Sequence, residues 1–279
     1  SAEQAASIRE PLHAVNKRWE NLLRGMVDRQ KQLEHALLHL GQFQHALNEL
    51  LVWINKTDST LDSLKPIPGD PQLLEVELAK LKVLANDIHA HQSSVDTLND
   101  AGRQLIETDR GSLEASTTQE KLKTLNKQWR DLLQKAADRQ HELEVALREA
   151  QSFTAEVQDL LGWLGDVDGV IGASKPVGGL PETASEQLER FMEVFNELED
   201  NRPKVESLLS QGSEYIKRQN QLNVTSSNLQ HILRTLKQRW DAVIARANDK
   251  KIKLEIALKE ATEFQDSLQA FVEWLTLAE

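Results

Sequence analysis

The fold is decided by residues 122–171, which read LKTLNKQWRDLLQKAADRQHELEVALREAQSFTAEVQDLLGWLGDVDGVI. Apolar residues recur here at alternating steps of three and four positions through seven heptads, and only Arg139 interrupts the series. Such steps place side chains on one face of an α-helix. No Gly or Pro occurs from Ser112 to Leu161. We therefore predict one unbroken helix that supercoils against partner helices.

The tryptophans show that this pattern belongs to a repeat. They form three pairs with the same internal spacing: Trp19 with Trp53, Trp129 with Trp163, and Trp240 with Trp274. Phe43, Phe153 and Phe264 recur in the same register. Because Trp is scarce, this spacing indicates an array of units of about 110 residues.

Gly and Pro mark where the long helices end. The predicted loops are residues 62–71 (DSLKPIPGDP) and 174–181 (SKPVGGLP). Asp70 is the predicted N-cap of a second helix over about residues 71–107, because an Asp side chain accepts hydrogen bonds from the first helical N–H groups. Pro71 suits the first helical position.

The remaining helices follow from similar signals. Thr117 and Glu120 form a predicted capping box at the start of the next long helix. A counterpart of the second helix is expected near residues 183–221. Because Pro203 lies inside it, we expect a kink or break near Asn201.

Each unit is therefore all-α, with three helices folded up, down and up, and its third helix continues into the next unit. We expect tandem three-helix bundles joined by continuous helices into an elongated rod. The predicted divisions are a terminal third helix at 1–34, complete repeats at 35–144 and 145–255, and the first helix of a truncated repeat at 256–279.

Three-helix units of this length, with one Trp in the first helix and another in the third, resemble spectrin repeats. Within that family the sequence is most similar to the rod of the spectraplakins, the class of microtubule–actin cross-linking factor and dystonin. This similarity rests on the motifs GDP (69–71), EVELAK (75–80), AHQS (90–93), SKP (174–176), GGLPET (178–183) and FVEWL (271–275).

The resemblance implies a structural spacer in a giant cytoplasmic linker that binds actin at one end and microtubules at the other. Only the spacer part carries over, so actin and microtubules are expected to be reached through other parts of a full-length protein. The implied localisation is the cytoplasm and the cytoskeleton.

Composition excludes several classes of function. The net charge of −11 makes binding to nucleic acid or anionic lipid by charge a poor candidate. The absence of Cys excludes disulfides and Cys-based metal sites. The apolar runs are far shorter than a membrane-spanning helix requires, so we expect no membrane insertion.

No catalytic motif or phosphate-binding loop is present, and we expect no enzyme activity and no cofactor. His35 and His39 have metal-ligand spacing but no evident third ligand, so we interpret them as a solvated helix face. His89 and His91 are interpreted in the same way. The glycosylation sequon at Asn55 is interpreted as coincidental, as is the one at Asn223.

The candidate structural residues are core anchors at Trp53, Trp129, Trp163, Trp240, Phe43 and Phe153. We expect the first two tryptophans to share one bundle and the next two to share the following bundle. Trp19 and Trp274 have no partner helices in this segment.

Two charged sets have both a functional and a simpler interpretation. Glu189, Glu193, Glu197 and Asp200 are a candidate docking face for a basic partner, or ordinary solvated surface.

The second set comprises Arg29, Arg139 and Lys250, which recur where one bundle passes into the next. These basic side chains either contact both neighbours and set the angle between repeats, or simply remain in water.

We therefore predict a semi-rigid, mechanically extensible structural rod. The alternative is a protein-docking platform that binds a signalling or adhesion partner of unknown identity, and a third possibility is a self-associating rod. The lone terminal helices expose apolar stripes and are expected to fray, fold back or pair end to end between molecules.

Overall fold

The computed structural model describes residues 2–173 and 179–279. Within them lie α1 (Ala2–Asp62), α2 (Pro71–Ala90), α3 (Gln92–Thr108), α4 (Leu113–Ala173), α5 (Pro181–Gln221) and α6 (Ser227–Ala278). No strand occurs in the described residues. The all-α class is confirmed.

The long helix predicted from the heptad pattern is confirmed as α4. It contains 61 residues, which corresponds to about 90 Å of helical rise. It continues beyond Leu161 through four glycines, at Gly162, Gly165, Gly169 and Gly172. A methyl group at any of them would meet open space. These glycines therefore lie in the helix without any requirement for close packing.

The predicted start of α2 is also confirmed. Pro71 is its first residue, and Asp70 Oδ1 accepts a hydrogen bond from the Gln72 backbone N–H at 3.0 Å. The loop predicted at residues 174–181 falls largely at 174–178, which are outside the described residues. The helix expected from residue 183 begins slightly earlier, at Pro181.

The predicted capping box is wrong. Helix α4 begins at Leu113, and Ser112 Oγ accepts the Ala115 backbone N–H at 3.0 Å. Thr117 lies inside the helix, where its hydroxyl donates to the Leu113 carbonyl at 2.9 Å. An earlier Ser therefore caps the helix and leaves the Thr to bond back to the preceding turn.

Of the two forms expected near Asn201, a break is wrong, because α5 is continuous through Pro203, and a kink stays a prediction. The break lies instead at His91, the equivalent position of the preceding repeat, between α2 and α3. His91 Nδ1 lies 2.8 Å from the Asp87 carbonyl oxygen, and the His91 backbone N–H donates to Ile88 at 3.0 Å. A side chain that bonds a carbonyl of the preceding turn competes with the helical ladder.

The helices pack into two compact units. They comprise Ser1–Leu64 with Leu81–Arg139, and Lys65–Lys80 with Gln140–Glu279. The division therefore cuts both α2 and α4, each of which supplies residues to both units.

Each unit has an apolar core drawn from several helices. Buried residues of the first unit include Phe43, Leu47, Leu50, Ile54, Leu81, Ile88, Val95, Leu98, Leu122, Leu125, Trp129, Leu132 and Ala136. In the second unit one buried cluster contains Val157, Leu160, Leu164, Val167, Ile171, Phe191, Leu198, Val205, Leu208, Leu236, Trp240, Val243, Ala247 and Leu254. This cluster joins α4, α5 and α6 in one bundle.

The outer segments of α1 and α6 have no such core. Residues 2–39 are exposed, and Trp19 retains 59% of its surface. Trp274 retains 63% and stacks with the neighbouring Phe271 on α6. Their apolar stripes therefore face solvent.

Two buried glycines allow close helix contact at the same register. A Cβ on Gly102 would lie 2.7 Å from Leu122 Cδ1, and one on Gly212 would lie 2.5 Å from Leu233 Cδ1. Each contact joins a second helix to a third helix within one unit. The missing side chain is what gives the leucine its space.

We predict that Gly212→Ala destabilises the second unit by about 1–3 kcal/mol. The added methyl group would overlap Leu233, and this overlap outweighs the stabilisation expected from the higher helix propensity of Ala. Chemical denaturation followed by circular dichroism measures this. Gly162→Ala is the control, since it meets open space and should stabilise the protein by up to about 1 kcal/mol. Equal effects of the two substitutions would contradict the packing explanation.

Candidate functional site

The first tryptophan pair lies in the first unit. Trp53 of α1 and Trp129 of α4 have ring centroids 6.4 Å apart, with planes tilted by 39°. Trp129 is 4% exposed, whereas Trp53 is only half-buried. The ring of His91 stacks on Trp53 at a centroid distance of 3.6 Å and an angle of 12°. The pair therefore packs at the junction of α2 and α3.

A hydrogen bond adds a third connection at this junction. Trp129 Nε1–H donates to Gln92 Oε1 at 3.1 Å. The interpretation of His91 as solvated helix face is wrong, because its ring is half-buried and stacks on Trp53. Sequence reasoning did not single out Gln92 at all. The available signal was their place in the AHQS motif (90–93), on which part of the resemblance to spectraplakins rests. Together they join α1 and α4 to the point where the second helix breaks.

The second pair belongs to one core in the second unit. Trp240 is 4% exposed, and Trp163 is half-buried against the same cluster. Trp163 Nε1–H donates to Glu197 Oε1 at 2.9 Å. The Arg202 guanidinium lies 5.6 Å from the centroid of the Trp240 ring, within cation–π range. Arg202 and Gln92 occupy equivalent positions of the two repeats, so both third-helix tryptophans meet a polar side chain at the same register.

An ion pair is repeated in the two units and was also missed from sequence. Lys135 Nζ lies 2.8 Å from Asp58 Oδ1 and 2.7 Å from Asp62 Oδ1. In the second unit, Arg246 Nη2 lies 2.5 Å from Asp168 Oδ1, and these residues are the counterparts of Lys135 and Asp58. The hydrogen bonds that Lys135 donates to the carboxylates of Asp58 and Asp62 raise the pKa of Lys135. Each pair links a first helix to a third helix.

The two phenylalanines differ in burial. Phe43 is fully buried in the first unit, and Phe153 is partly buried in the second. Phe153 lines a cleft of about 690 Å³ with residues that include Leu208, Gly212 and Tyr215. The candidate core residues therefore comprise three fully buried aromatics and three partly buried ones.

The candidate docking face divides in two. Glu189, Glu193 and Asp200 are exposed on α5. Glu197 is exposed too, but its carboxylate is the acceptor for Trp163. At least one member of this set therefore has a structural contact.

The candidate junction residues lie in different surroundings. Arg29 is exposed, whereas Arg139 and Lys250 are half-buried. The division between the compact units falls directly after Arg139. The proposal that these side chains set the angle between repeats stays a prediction.

The histidine pair offers two ligands at most. His35 Nε2 and His39 Nε2 are 2.9 Å apart on the exposed part of α1. The described part of the chain contains no group of three or more His, Cys, Asp or Glu that could hold a metal ion. None of the helices within it has the length and apolarity needed to cross a bilayer.

The fold and the repeated core define a class of protein. The spectrin-repeat profile matches residues 38–145 and 148–255. The chain belongs to the spectrin-repeat family, whose members are structural repeats.

Known relatives extend this finding. The chain is 45% identical over 272 residues to microtubule-actin cross-linking factor 1, isoforms 1/2/3/4, of Mus musculus, covering 98% of this chain and 4% of that protein. It is 44% identical to microtubule-actin cross-linking factor 1 of Rattus norvegicus, covering 98% and 5%. Nesprin-2 of Mus musculus is 24% identical over 99% of this chain and 4% of its own length. The chain thus spans about a twentieth of these relatives, and the resemblance to spectraplakins is confirmed.

The Arg202–Glu199 pair makes the second unit sensitive to acid. Arg202 donates two hydrogen bonds to Glu199, at 3.0 and 2.9 Å, and these lower the pKa of Glu199 below its ordinary 4.5. A lowered folded-state pKa contributes stability that is present above the ordinary value and is lost as pH falls through the folded value. Both side chains are more than a third exposed, so the contribution is about 1 kcal/mol or less.

We predict that Arg202→Gln lowers the free energy of unfolding at pH 7 and that this deficit shrinks as pH falls from 6 to 3. Urea denaturation across that range measures it. Arg190→Gln, an exposed change on the same helix, is the control and should show little effect. If the loss of unfolding free energy is the same at every pH, it comes from the Arg202–Trp240 contact and not from the Arg202–Glu199 pair.

Proposed function

We propose that this chain is a structural spacer within a giant cytoskeletal linker, located in the cytoplasm and attached to actin and microtubules through other parts of the protein. The spectrin-repeat match and the similarity to microtubule–actin cross-linking factors support this function. The spacer performs no catalysis and binds no cofactor. Its partners are proteins, not nucleic acid or membrane.

The observation that carries the proposal is the continuity of α4. Its first half supplies Leu125, Trp129 and Leu132 to the buried residues of the first unit. Its second half supplies Val157 and Leu164 to the core of the second. Covalent backbone and helical hydrogen bonds thus run unbroken from one core to the other. Neighbouring repeats that share such an element unfold cooperatively, which yields a tether that is stiff at low force and extends when a unit unfolds.

We predict that Gln140→Pro uncouples the two units. Gln140 is exposed at the division between them, and a proline inside a helix costs about 3 kcal/mol by removing a hydrogen bond and clashing with the preceding turn. In single-molecule pulling, the unsubstituted protein should unfold both units in one event, and the Gln140→Pro variant should unfold them in two separate events at lower force. Gln140→Ala, which keeps the helix intact, is the control. Separate events already present in the unsubstituted protein would overturn the shared-helix mechanism.

We also propose that neighbouring helices normally cover the apolar stripes around Trp19 and Trp274. Helices of adjacent repeats in a longer chain supply this cover, since this segment matches only 4% of the length of relatives such as nesprin-2. In the isolated segment, a second copy supplies it.

The predicted result is a mass that rises with concentration in light scattering, and its suppression by Trp19→Glu combined with Trp274→Glu. Val83→Glu is the matched control, because Val83 is an exposed apolar residue of α2 outside the terminal segments. A constant monomer mass at all concentrations would contradict pairing between copies.

A further inference from the structure

Residues 65–80 pack with a part of the chain that is distant in sequence. They include the end of the loop before α2 and the first half of α2, and they belong to the same compact unit as residues 140–279. By sequence they fall in the first matched repeat, 38–145. Pro68 and Gly69 are buried, and Leu74 has no exposed surface. Residues 65–80 therefore pack as part of the second unit.

Tyr215 of α5 lies directly against the loop. A Cβ on Gly69 would be 2.7 Å from Tyr215 Oη and 2.9 Å from Tyr215 Cζ, and it would also clash with Cε1. The backbone itself does not require glycine here, because the described glycines with positive φ are Gly111 and Gly179. A side chain at position 69 would therefore require the tyrosine ring to shift.

Neighbouring side chains hold the ring in place. Gln219 Nε2 donates to Tyr215 Oη at 2.9 Å, and Gln219 is itself 6% exposed. The Arg218 guanidinium lies 5.9 Å from the ring centroid. Burial raises the pKa of the Tyr215 hydroxyl above its ordinary value of 10.0. Two residues of α5, Arg218 and Gln219, thus hold the Tyr215 ring in the position in which it contacts the loop.

The ring that faces Gly69 comes from a residue type that occurs once in the chain. Tyr215 is the sole tyrosine of the chain, and the equivalent position of the preceding repeat is Leu105. The counterpart of Gly69 in the following repeat is Gly179, which has a φ of +110°. The repeats therefore share a glycine at this register, but only at Gly179 does the backbone angle itself favour glycine.

We propose that Tyr215 is a positioning residue that locks residues 65–80 onto the second unit and so couples the two units through α2 as well as through α4. The lock deepens the proposed spacer function and rests on it. Its mechanical consequence follows from α2, whose residues from Leu81 onward belong to the first unit. Because the two ends of α2 are held in different units, local unfolding of one unit destabilises the packing of α2 in the other.

The test is a double-mutant cycle read by hydrogen exchange. Gly69→Ala adds a methyl group that displaces the ring, and Tyr215→Ala removes the ring, so either change should accelerate amide exchange in residues 74–80 about tenfold. Combining them should add nothing further, because the new methyl group no longer meets a ring. Tyr215→Phe keeps the ring and should leave exchange within about threefold of the original.

A matched glycine separates ring contact from backbone strain. Gly111→Ala is disfavoured by a φ of +83° and has open space around it. Its effect should be the same whether residue 215 is Tyr or Ala. In Gly69→Ala, absorbance titration of the single tyrosine should give a midpoint closer to 10.0 than in the original protein, as expected for a ring pushed toward solvent.

Two results would overturn the lock: unchanged exchange in Gly69→Ala, or a Gly69→Ala effect that persists in full beside Tyr215→Ala. Neither would affect the spacer function, which is tested separately by Gln140→Pro. If instead Gln140→Pro leaves unfolding joint while the Tyr215 variants separate it, the lock is the main coupling element.

Discussion

Helix α4 must satisfy two cores at once, and the rest of the structure depends on this constraint. Its apolar face is buried on both sides of Arg139, so neither half can change its register without exposing side chains of the other. One helical register therefore has to suit the packing of both units. The heptad spacing maintained through seven heptads is the sequence expression of this requirement.

Within each unit the same requirement recurs as repeated contacts between helices. The ion pairs at Lys135 and Arg246 and the close glycine contacts at Gly102 and Gly212 occupy equivalent positions of the two repeats. The tryptophans follow the same rule, with the third-helix member buried and the first-helix member half-exposed beside a polar partner. The half-exposed position explains why Trp53 and Trp163 need neighbours that suit both water and an indole ring. His91 stacks on the ring of Trp53, and the Glu197 carboxylate accepts a hydrogen bond from Trp163.

Sequence periodicity predicts the helices well because burial of an apolar face is a property summed over many residues. It predicts single-residue events poorly, since these depend on competing bonds of similar energy. Pro203 removes one hydrogen bond from α5, but the buried residues Leu198 and Val205 on either side hold the helix together. At His91 no proline is present, yet a side-chain bond to Asp87 and stacking on Trp53 interrupt the helix. Similarly, Ser112 and Thr117 are both competent caps, and only the surrounding structure selects the first.

The site is less predictable than the fold for a related reason. An acidic run such as Glu189 to Asp200 is visible in sequence as charge, but Glu197 differs from its neighbours only because Trp163 lies within 2.9 Å of it. The glycines make the same point. Gly69, Gly102 and Gly179 are indistinguishable as letters, yet one lies against a tyrosine ring, one admits a leucine, and one adopts a backbone angle that other residues avoid. A repeat protein can thus keep a residue type at equivalent positions while its physical role changes from unit to unit. A function specific to this segment is then to be sought at positions where the role changes, and residues 69 and 215 are one such place.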